Sequence, residues 1–186
     1  MAASAVVGVV LAVVALRGNG EMNMNRIVRH LWTGDRTVRR SLPDAAFDRI
    51  QRAVQVAEQR TQGQIRIVVE DSLPLRPLLQ ERTAHDRAIE VFTQLRVWDT
   101  HSNCGVLIYL LFADRAVEIV ADRGVHAHVG SGVWAAICTD MEDSFKSGQF
   151  ERGLIDGVET IGRILADHFP STGRHTNELP DRPQII

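Results

Sequence analysis

The sequence predicts an α/β layered sandwich: a small mixed β-sheet, one parallel strand pair plus an antiparallel hairpin strand, flanked by helices. Three observations carry this reading. Residues 106–112 (VLIYLLF) form an unbroken apolar run, as a strand does when both of its faces are covered. A second strand pattern at 64–70 is separated from it by a helical pattern, and a strand–helix–strand crossover makes such a pair parallel. Residues 116–122 (AVEIVAD) then follow after a turn at Asp114 and Arg115, so they return antiparallel.

The elements follow in order. Residues 24–40 are a polar, basic approach segment of irregular structure, with Arg36, Arg39 and Arg40. Ser41 with Asp44 three residues later fits a capping pattern, and Pro43 is tolerated in a first turn. Phe47, Ile50, Val54 and Ala57 recur at helical spacing and carry this helix to about Arg60, with a stop near Gly63. Residues 64–70 (QIRIVVE) are rich in β-branched residues and bounded by Gly63 and by Pro74 and Pro77, which marks a strand. Leu78, His85, Ala88, Ile89, Phe92 and Leu95 form an apolar stripe that predicts one helix over 78–96.

A polar loop, WDTHSNCG, leads into the hairpin. Two helices, at 133–145 and 149–169, complete an α/β domain spanning 41–169 and meet at the Lys146-Ser147-Gly148 break. Ser131 reads as the cap of the first of them. Gly153 and Gly157, spaced four apart, let the second approach a neighbour closely. Residues 170–186 hold three prolines and no periodicity, so they form an extended or partly disordered tail.

Length and charge set bounds. The 186 residues suit one domain with a real core. A formal net charge of -2 leaves no electrostatic footprint for nucleic acid, which excludes that partner class. Cys104 and Cys138 lack C-x-x-C or zinc-ribbon spacing and read first as two small buried thiols, with one disulfide as the alternative.

Residues 1–23 admit two readings. Residues 2–16 carry no charge, and AVVGVVLAVVAL is nearly all aliphatic. The run falls short of the roughly 20 residues of a spanning helix. Arg17 follows it, whereas a signal peptide places its positive charge first. One reading is a weak membrane anchor that touches the bilayer through residues 1–16, with Arg17, Arg26 and Arg29 holding the domain on the cytoplasmic face of the inner membrane. The other is a dispensable leader ahead of a start at Met22 or Met24. Either way the domain is expected to be cytoplasmic.

The candidate site comes from the hairpin. A two-residue turn centred on Asp114 and Arg115 sets Ala113 opposite Ala116, Leu107 opposite Asp122 and Gly105 opposite Gly124, with Asn103 near His126. Asp-Arg is not a favoured turn pair, which leaves room for a slip of one residue. The open end then gathers Asp99, His101 and Asn103 with Asp122, His126 and His128, and the parallel pairing adds Gln64. Carboxylates with Asn and His on loops suit a divalent cation. Asp99, His101, Asn103, Asp122 and His126 are therefore the candidate metal ligands, for calcium or magnesium ahead of zinc.

Other readings compete. Cys104 stands where a calcium loop opened by Asp99 needs Gly, and Leu110 where it needs Glu, so an EF-hand is excluded. His126-Ala-His128 has zinc-ligand spacing but its third ligand is unproven, and on spacing alone the two are first of all surface histidines. Asp114 is first of all a turn residue. Glu70, Asp71, Asp114 and Arg115 make a rival site, because ligands often sit beyond the carboxyl ends of parallel strands. Ser131 in Val-Gly-Ser-Gly-Val does not match G-x-S-x-G, and neither a Walker loop nor G-x-G-x-x-G is present. His85 reads as a core-edge histidine.

Several segments occur in a telling order: T-x-x-Q-I-R-I-V-V, N-C-G-V-L-I, A-D-R-x-V-E-I, Gly124, and F-x-x-G-x-F-x-x-G-L-x-x-G-V from Phe145 to Val158. In this order they resemble the TPM-domain family of bacterial, chloroplast-lumen and receptor-accessory proteins, over about 61–165. VWDT, GVLIYLL, ADRGV and NELPDRP are similar to a short bacterial subgroup. The resemblance implies the α/β sandwich, a phosphatase label, divalent metal binding in some members and partner roles in others. Members often carry Glu where this chain has Gln64, and Gly-x-Gly where it has Asp122-Arg123-Gly124.

Two functions follow as expectations. In the first, the domain binds a divalent cation at the open hairpin end and has weak phosphatase chemistry, with Asp99, Asn103 and Asp122 as ligands. In the second it is a non-catalytic interaction or accessory module, membrane-tethered, whose arginine-rich approach or proline tail meets a protein partner.

Overall fold

Residues 24–173 and 177–186 are described by the structure, a computed structural model. Strands β1 (Gln64–Glu70) and β2 (Gly105–Leu111) run parallel from Gln64 beside Gly105 to Glu70 beside Leu111. Strand β3 (Ala116–Ala121) returns antiparallel to β2, and a short β4 (Gln184–Ile185) lies parallel on the other edge of β1. The order across the sheet is β3-β2-β1-β4. The expected layered α/β fold with a mixed sheet is therefore present, with one strand more than the sequence indicated.

Helices α1 (Met24–Trp32), α2 (Asp35–Ser41) and α3 (Asp44–Glu58) precede β1. Helices α4 (Leu75–Leu79) and α5 (Ala84–Gln94) form the crossover to β2. Helices α6 (Arg123–Val129), α7 (Ser131–Lys146) and α8 (Phe150–His168) follow β3. The period of two splits the strands between two cores. Ile65, Ile67, Val69, Val106, Ile108 and Leu110 pack with α3, α7 and α8. Val68, Leu107, Tyr109 and Leu111 pack with Leu78, Ala88 and Val91 of the crossover. Every residue of β2 is buried, which accounts for its uninterrupted apolar sequence. Each such large side chain contributes roughly 1.5–3 kcal/mol by leaving water.

Phe47, Ile50, Val54 and Ala57 are buried along α3 as their spacing requires. Gly153 and Gly157 face α7: a Cβ would stand 2.7 Å from the Phe145 ring and 2.6 Å from Met141 Sδ. Both cysteines are free thiols.

Local chemistry overrides several expectations. The 24–40 segment is not irregular but forms α1 and α2, anchored by buried Ile27 and Val38. Ser41 ends α2, and Pro43, which has no side-chain acceptor, occupies the cap of α3. The 78–96 stretch is two helices, because Thr83 and Asp86 make a reciprocal capping box that restarts the chain as α5. Its buried face runs through Ala88 and Val91, leaving Ile89 46% exposed. His85 is exposed as well and pairs with Glu118, so it is not a core-edge residue. Ser131 opens α7 without capping it; Gly130 takes the cap position.

The hairpin register differs by two residues from that expected: Leu111 faces Ala116 and Leu107 faces Val120. A two-residue turn needs φ > 0 at both central positions, which Asp-Arg resists. The chain instead makes a 3₁₀ turn over Phe112–Asp114 and places only Arg115 in the left-handed region, at φ 52°. An even shift keeps every side chain on its expected face.

The tail is ordered where it is described. Arg66 of β1 donates to the carbonyls of Pro180 (2.8 Å) and Arg182 (3.0 Å) and to the Gln184 side chain. Leu179 and Asp181 are buried, and Ile186 N–H donates to Val69 O at 3.0 Å.

Candidate functional site

Asp122 sits where β3 meets α6, a short helix that the sequence reading missed. Its N–H donates to Gly105 O (2.9 Å), and its carbonyl accepts from Val125 and His126. Its Oδ1 accepts from Arg123 N–H at 2.6 Å, so the residue caps α6. The other oxygen, Oδ2, is buried with no hydrogen-bond partner among the described residues, in a side chain belonging to a residue only 8% exposed. Buried carboxylate oxygens ordinarily have a partner, and an orphan calls for a water or an ion.

Asp122 lines a cleft of about 260 Å³ together with Phe92, Trp98, Asn103, Ala121 and Arg123. Asn103 enters it from the loop before β2 in the left-handed region, at φ 50°. Gly124 makes this possible: a Cβ there would stand 2.5 Å from the Asn103 carbonyl oxygen. The two expected ligands Asn103 and Asp122 therefore meet.

The other three go elsewhere. Asp99 and His101 are exposed on the loop, where their N–H groups donate to Arg96 O (2.9 Å) and to the Glu178 carboxylate (2.9 Å). His126 is exposed on α6. His128 stacks edge-on to Phe169 and has its Nδ1 2.8 Å from Gly124 O. Among the described residues no group of three or more His, Cys, Asp or Glu side chains is arranged to hold a metal. Two oxygen-bearing side chains suit magnesium, which keeps several waters and takes one or two carboxylates, better than calcium with six to eight oxygens. Zinc fits poorly, since neither His nor Cys lines the cleft.

Gln64, at the same end of the sheet, is spent on the tail: its Oε1 accepts from Glu178 N–H (2.8 Å) and Leu179 N–H (3.1 Å). Glu178 was missed as a neighbour of the site, although the NELPDRP segment held the signal. Cys104 is no nucleophile. It is buried, its Sγ lies 2.9 Å from Ser102 O, and burial, with Asp122 and Glu178 nearby, pushes its thiol up to about 11.

The rival end of the sheet is filled by the protein itself. Glu70 Oε2 accepts from Tyr109 Oη–H (2.6 Å) and Arg87 Nε–H (2.8 Å), and burial followed by the Glu70 charge drives the phenol far above its ordinary range. Asp114 meets Arg26 (2.9 Å), Arg29 and His30 Nε2 (3.1 Å). Burial would raise its carboxyl, but hydrogen bonds from His30, Arg29 and Arg26 prevail and hold it well below the usual carboxylate range. Asp71 O accepts from Ala113 N–H, and Arg115 donates to Lys146 O. Glu70 and Asp114 are thus engaged by the protein's own side chains, and the Asp71 carboxylate accepts from Ser72 Oγ–H at 3.2 Å.

Residues 38–164 match the model of the TPM domain. The BA42 protein of the psychrophilic bacterium Bizionia argentinensis, solved by NMR, is 31% identical, with a TM-score of 0.69 over 78% of this chain and 95% of that one. The N-terminal domain of a protein from P. gingivalis, also solved by NMR, is 19% identical with a TM-score of 0.41, over 67% of this chain and 94% of the other. Among curated proteins, none matches.

Proposed function

The chain belongs to the TPM domain family, and within that family we propose that it binds a divalent cation, magnesium ahead of calcium, in the cleft between Asn103 and Asp122. The observation that carries this reading is the buried Asp122 Oδ2 without a protein partner. Asp122 and Asn103 would hold the cation, with water completing its shell; Asp99, His101 and His126 serve at most through such waters. A cation bound there supplies Lewis-acid polarisation of a phosphoryl oxygen, the chemistry on which weak phosphatase activity would depend. The chain's own contribution is to hold the carboxylate against a helix start and to keep Asn103 beside it. Arg123, exposed on the rim, offers a positive charge to an anionic substrate.

Calorimetric titration with magnesium, calcium, manganese and zinc tests this. Asp122→Asn keeps an acceptor for the helix cap while removing the charge. Magnesium binding that Asp122→Asn abolishes supports the reading; titrations without heat for any of the four metals sink it.

A second reading is a non-catalytic accessory module, held at the inner membrane on its cytoplasmic side through residues 1–16 and meeting a protein partner. It is favoured by a cleft lining without Ser, Thr, Cys or His, whose one carboxylate, Asp122, is engaged in capping α6. Among the described residues no helix is long and apolar enough to cross a membrane. Residues 1–16 lie outside the described part.

A further inference from the structure

Helix α1 has two faces of different character. Ile27 and His30 turn inward; Val28, Leu31 and Trp32, at the i, i+3, i+4 spacing of one helical stripe, turn outward. Their exposures are 45%, 39% and 78%, making Trp32 the most exposed of the large apolar residues described. A soluble surface has no use for an indole standing almost wholly in water beside two more apolar side chains.

The charge around this stripe is one-sided. Residues 24–41 hold five arginines and one carboxylate, Asp35. Arg26 and Arg29 are bound to Asp114, which pins α1 to the hairpin turn, and Arg39 is bound to Asp35. Arg36 and Arg40, four apart on one face of α2, are exposed and have no ion pair among the described residues. Upstream, beyond residues 17–23 with their Arg17 and Glu21, the sequence offers the uncharged residues 2–16.

We propose that the outward face of α1 (Val28, Leu31, Trp32) with Arg36 and Arg40 of α2 is a docking surface for an anionic lipid bilayer. Indole is favoured at the depth of the headgroups, aliphatic neighbours reach the acyl boundary, and arginines meet lipid phosphates. A protein partner with an acidic rim would satisfy the charges as well, but the uncharged run at 2–16 favours lipid: stable attachment to a bilayer takes two signals, and here an apolar run and an apolar-basic helical face are separated by only the short segment 17–23. The inference stands apart from the cation reading, which concerns the opposite end of β2. It rests on the membrane reading of residues 1–16 and extends it to folded residues, fixing which side of the domain faces the lipid. Because Asp114 clamps α1 to the β2–β3 turn, a docked α1 would orient the whole sheet and leave the Asp122 cleft pointing away from the bilayer.

The test is partition of the full chain onto vesicles of phosphatidylglycerol and phosphatidylcholine in equal amounts, against vesicles of phosphatidylcholine alone. Binding is expected to prefer the anionic vesicles. Leu31→Gln with Trp32→Gln, both at exposed positions, should weaken it about tenfold or more. Arg36→Gln with Arg40→Gln should weaken it about fivefold per arginine on anionic vesicles and leave neutral vesicles unaffected. Indole emission of the wild type should shift to the blue on anionic vesicles, and the shift should vanish in Trp32→Phe, a variant that keeps an apolar ring and so reports position independently of affinity. If the full chain does not bind anionic vesicles at all, the membrane reading and this inference fall together. If it binds but the α1 variants bind equally well, residues 1–16 suffice and this inference alone falls. If light scattering finds a wild-type dimer that Leu31→Gln/Trp32→Gln dissociates, the face is an interface between copies and the lipid assignment is overturned.

Discussion

Glu58 Oε1 accepts the backbone N–H of Ile65 at 2.6 Å, tying the last residue of α3 to the second residue of β1. The glutamate is 1% exposed. Burial pushes its carboxyl up, the Ile65 hydrogen bond opposes the rise, and Asp181 of the tail adds to it, for a value of about 8 against an ordinary 4.5. Folded protein therefore keeps a proton that unfolded protein releases. The stability this group contributes is present below pH 4.5 and is lost as pH rises toward 8. Wild type should melt at progressively lower temperature across that window. Glu58→Gln keeps the acceptor for Ile65 without a titrating charge, so its melting temperature should change less, with a gain on the order of a few kcal/mol at pH 9. Equal slopes for the two proteins would show that Glu58 is not the group responsible.

Arg66 is the main fastener of the C-terminal strand. It reaches the Pro180 and Arg182 carbonyls and the Gln184 side chain from the middle of β1, and burial lowers its guanidinium below the usual arginine value. Arg66→Met preserves the aliphatic stem and removes every donor. Leaving those acceptors bare should cost about 1–3 kcal/mol. Hydrogen exchange locates the loss: the Ile186 amide, bonded to Val69 O, should exchange about tenfold faster or more, while β2–β3 amides stay protected. Uniform acceleration across the sheet would instead mean that the arginine supports the core as a whole.

These two clamps mark the limit of what could be read in the sequence. Strands β1, β2 and β3 were legible because apolar continuity and β-branching report burial directly, and Phe47, Ile50, Val54 and Ala57 carried α3 in the same way. The tail was not. Its order depends on side chains of β1, Gln64 and Arg66, that sit more than a hundred residues away in the chain and look like ordinary polar strand positions. Two of the five candidate ligands were legible for a similar reason: hairpin reversal brings Asn103 and Asp122 together whatever the turn. The placement of Asp99 and His101 depends on backbone bonds to Arg96 and to the tail's Glu178, and that of His126 on α6, whose seven residues RGVHAHV hold too little periodicity to announce a helix.

Gly124 supports the site through close approach. Its Cα faces the Asn103 carbonyl, and the Cβ of an alanine would lie 2.5 Å from that oxygen, a backbone atom that cannot swing aside. Gly124→Ala should therefore shift the Asn103 loop against the start of α6, destabilising the protein by about 1–3 kcal/mol. It should also weaken any magnesium binding at Asp122 without changing a ligand. A variant with wild-type stability and wild-type titration would show that the hairpin end is slack enough to absorb the methyl group.

Asp114 governs whether α1 stays where it is. The carboxylate pairs with Arg26 and Arg29 and lies 3.1 Å from His30 Nε2, and Leu73 N–H donates to His30 Nδ1 at 2.9 Å, which puts the proton of a neutral imidazole on Nε2. Asp114→Asn removes the charge shared by these partners and should cost about 2–3 kcal/mol, with exchange in residues 24–32 rising first. The pH dependence has a definite sign. Because the folded carboxyl titrates below its ordinary 3.8, the stability it contributes is present above that value and is lost only as pH falls through the lower folded one. Docking of α1 should thus persist unchanged from neutral pH to about pH 4, a range in which the Asp114→Asn variant has α1 loosened throughout. Exchange in residues 24–32 that accelerates in wild type already at pH 6 would contradict this, and would show that the Asp114 carboxylate does not control the helix.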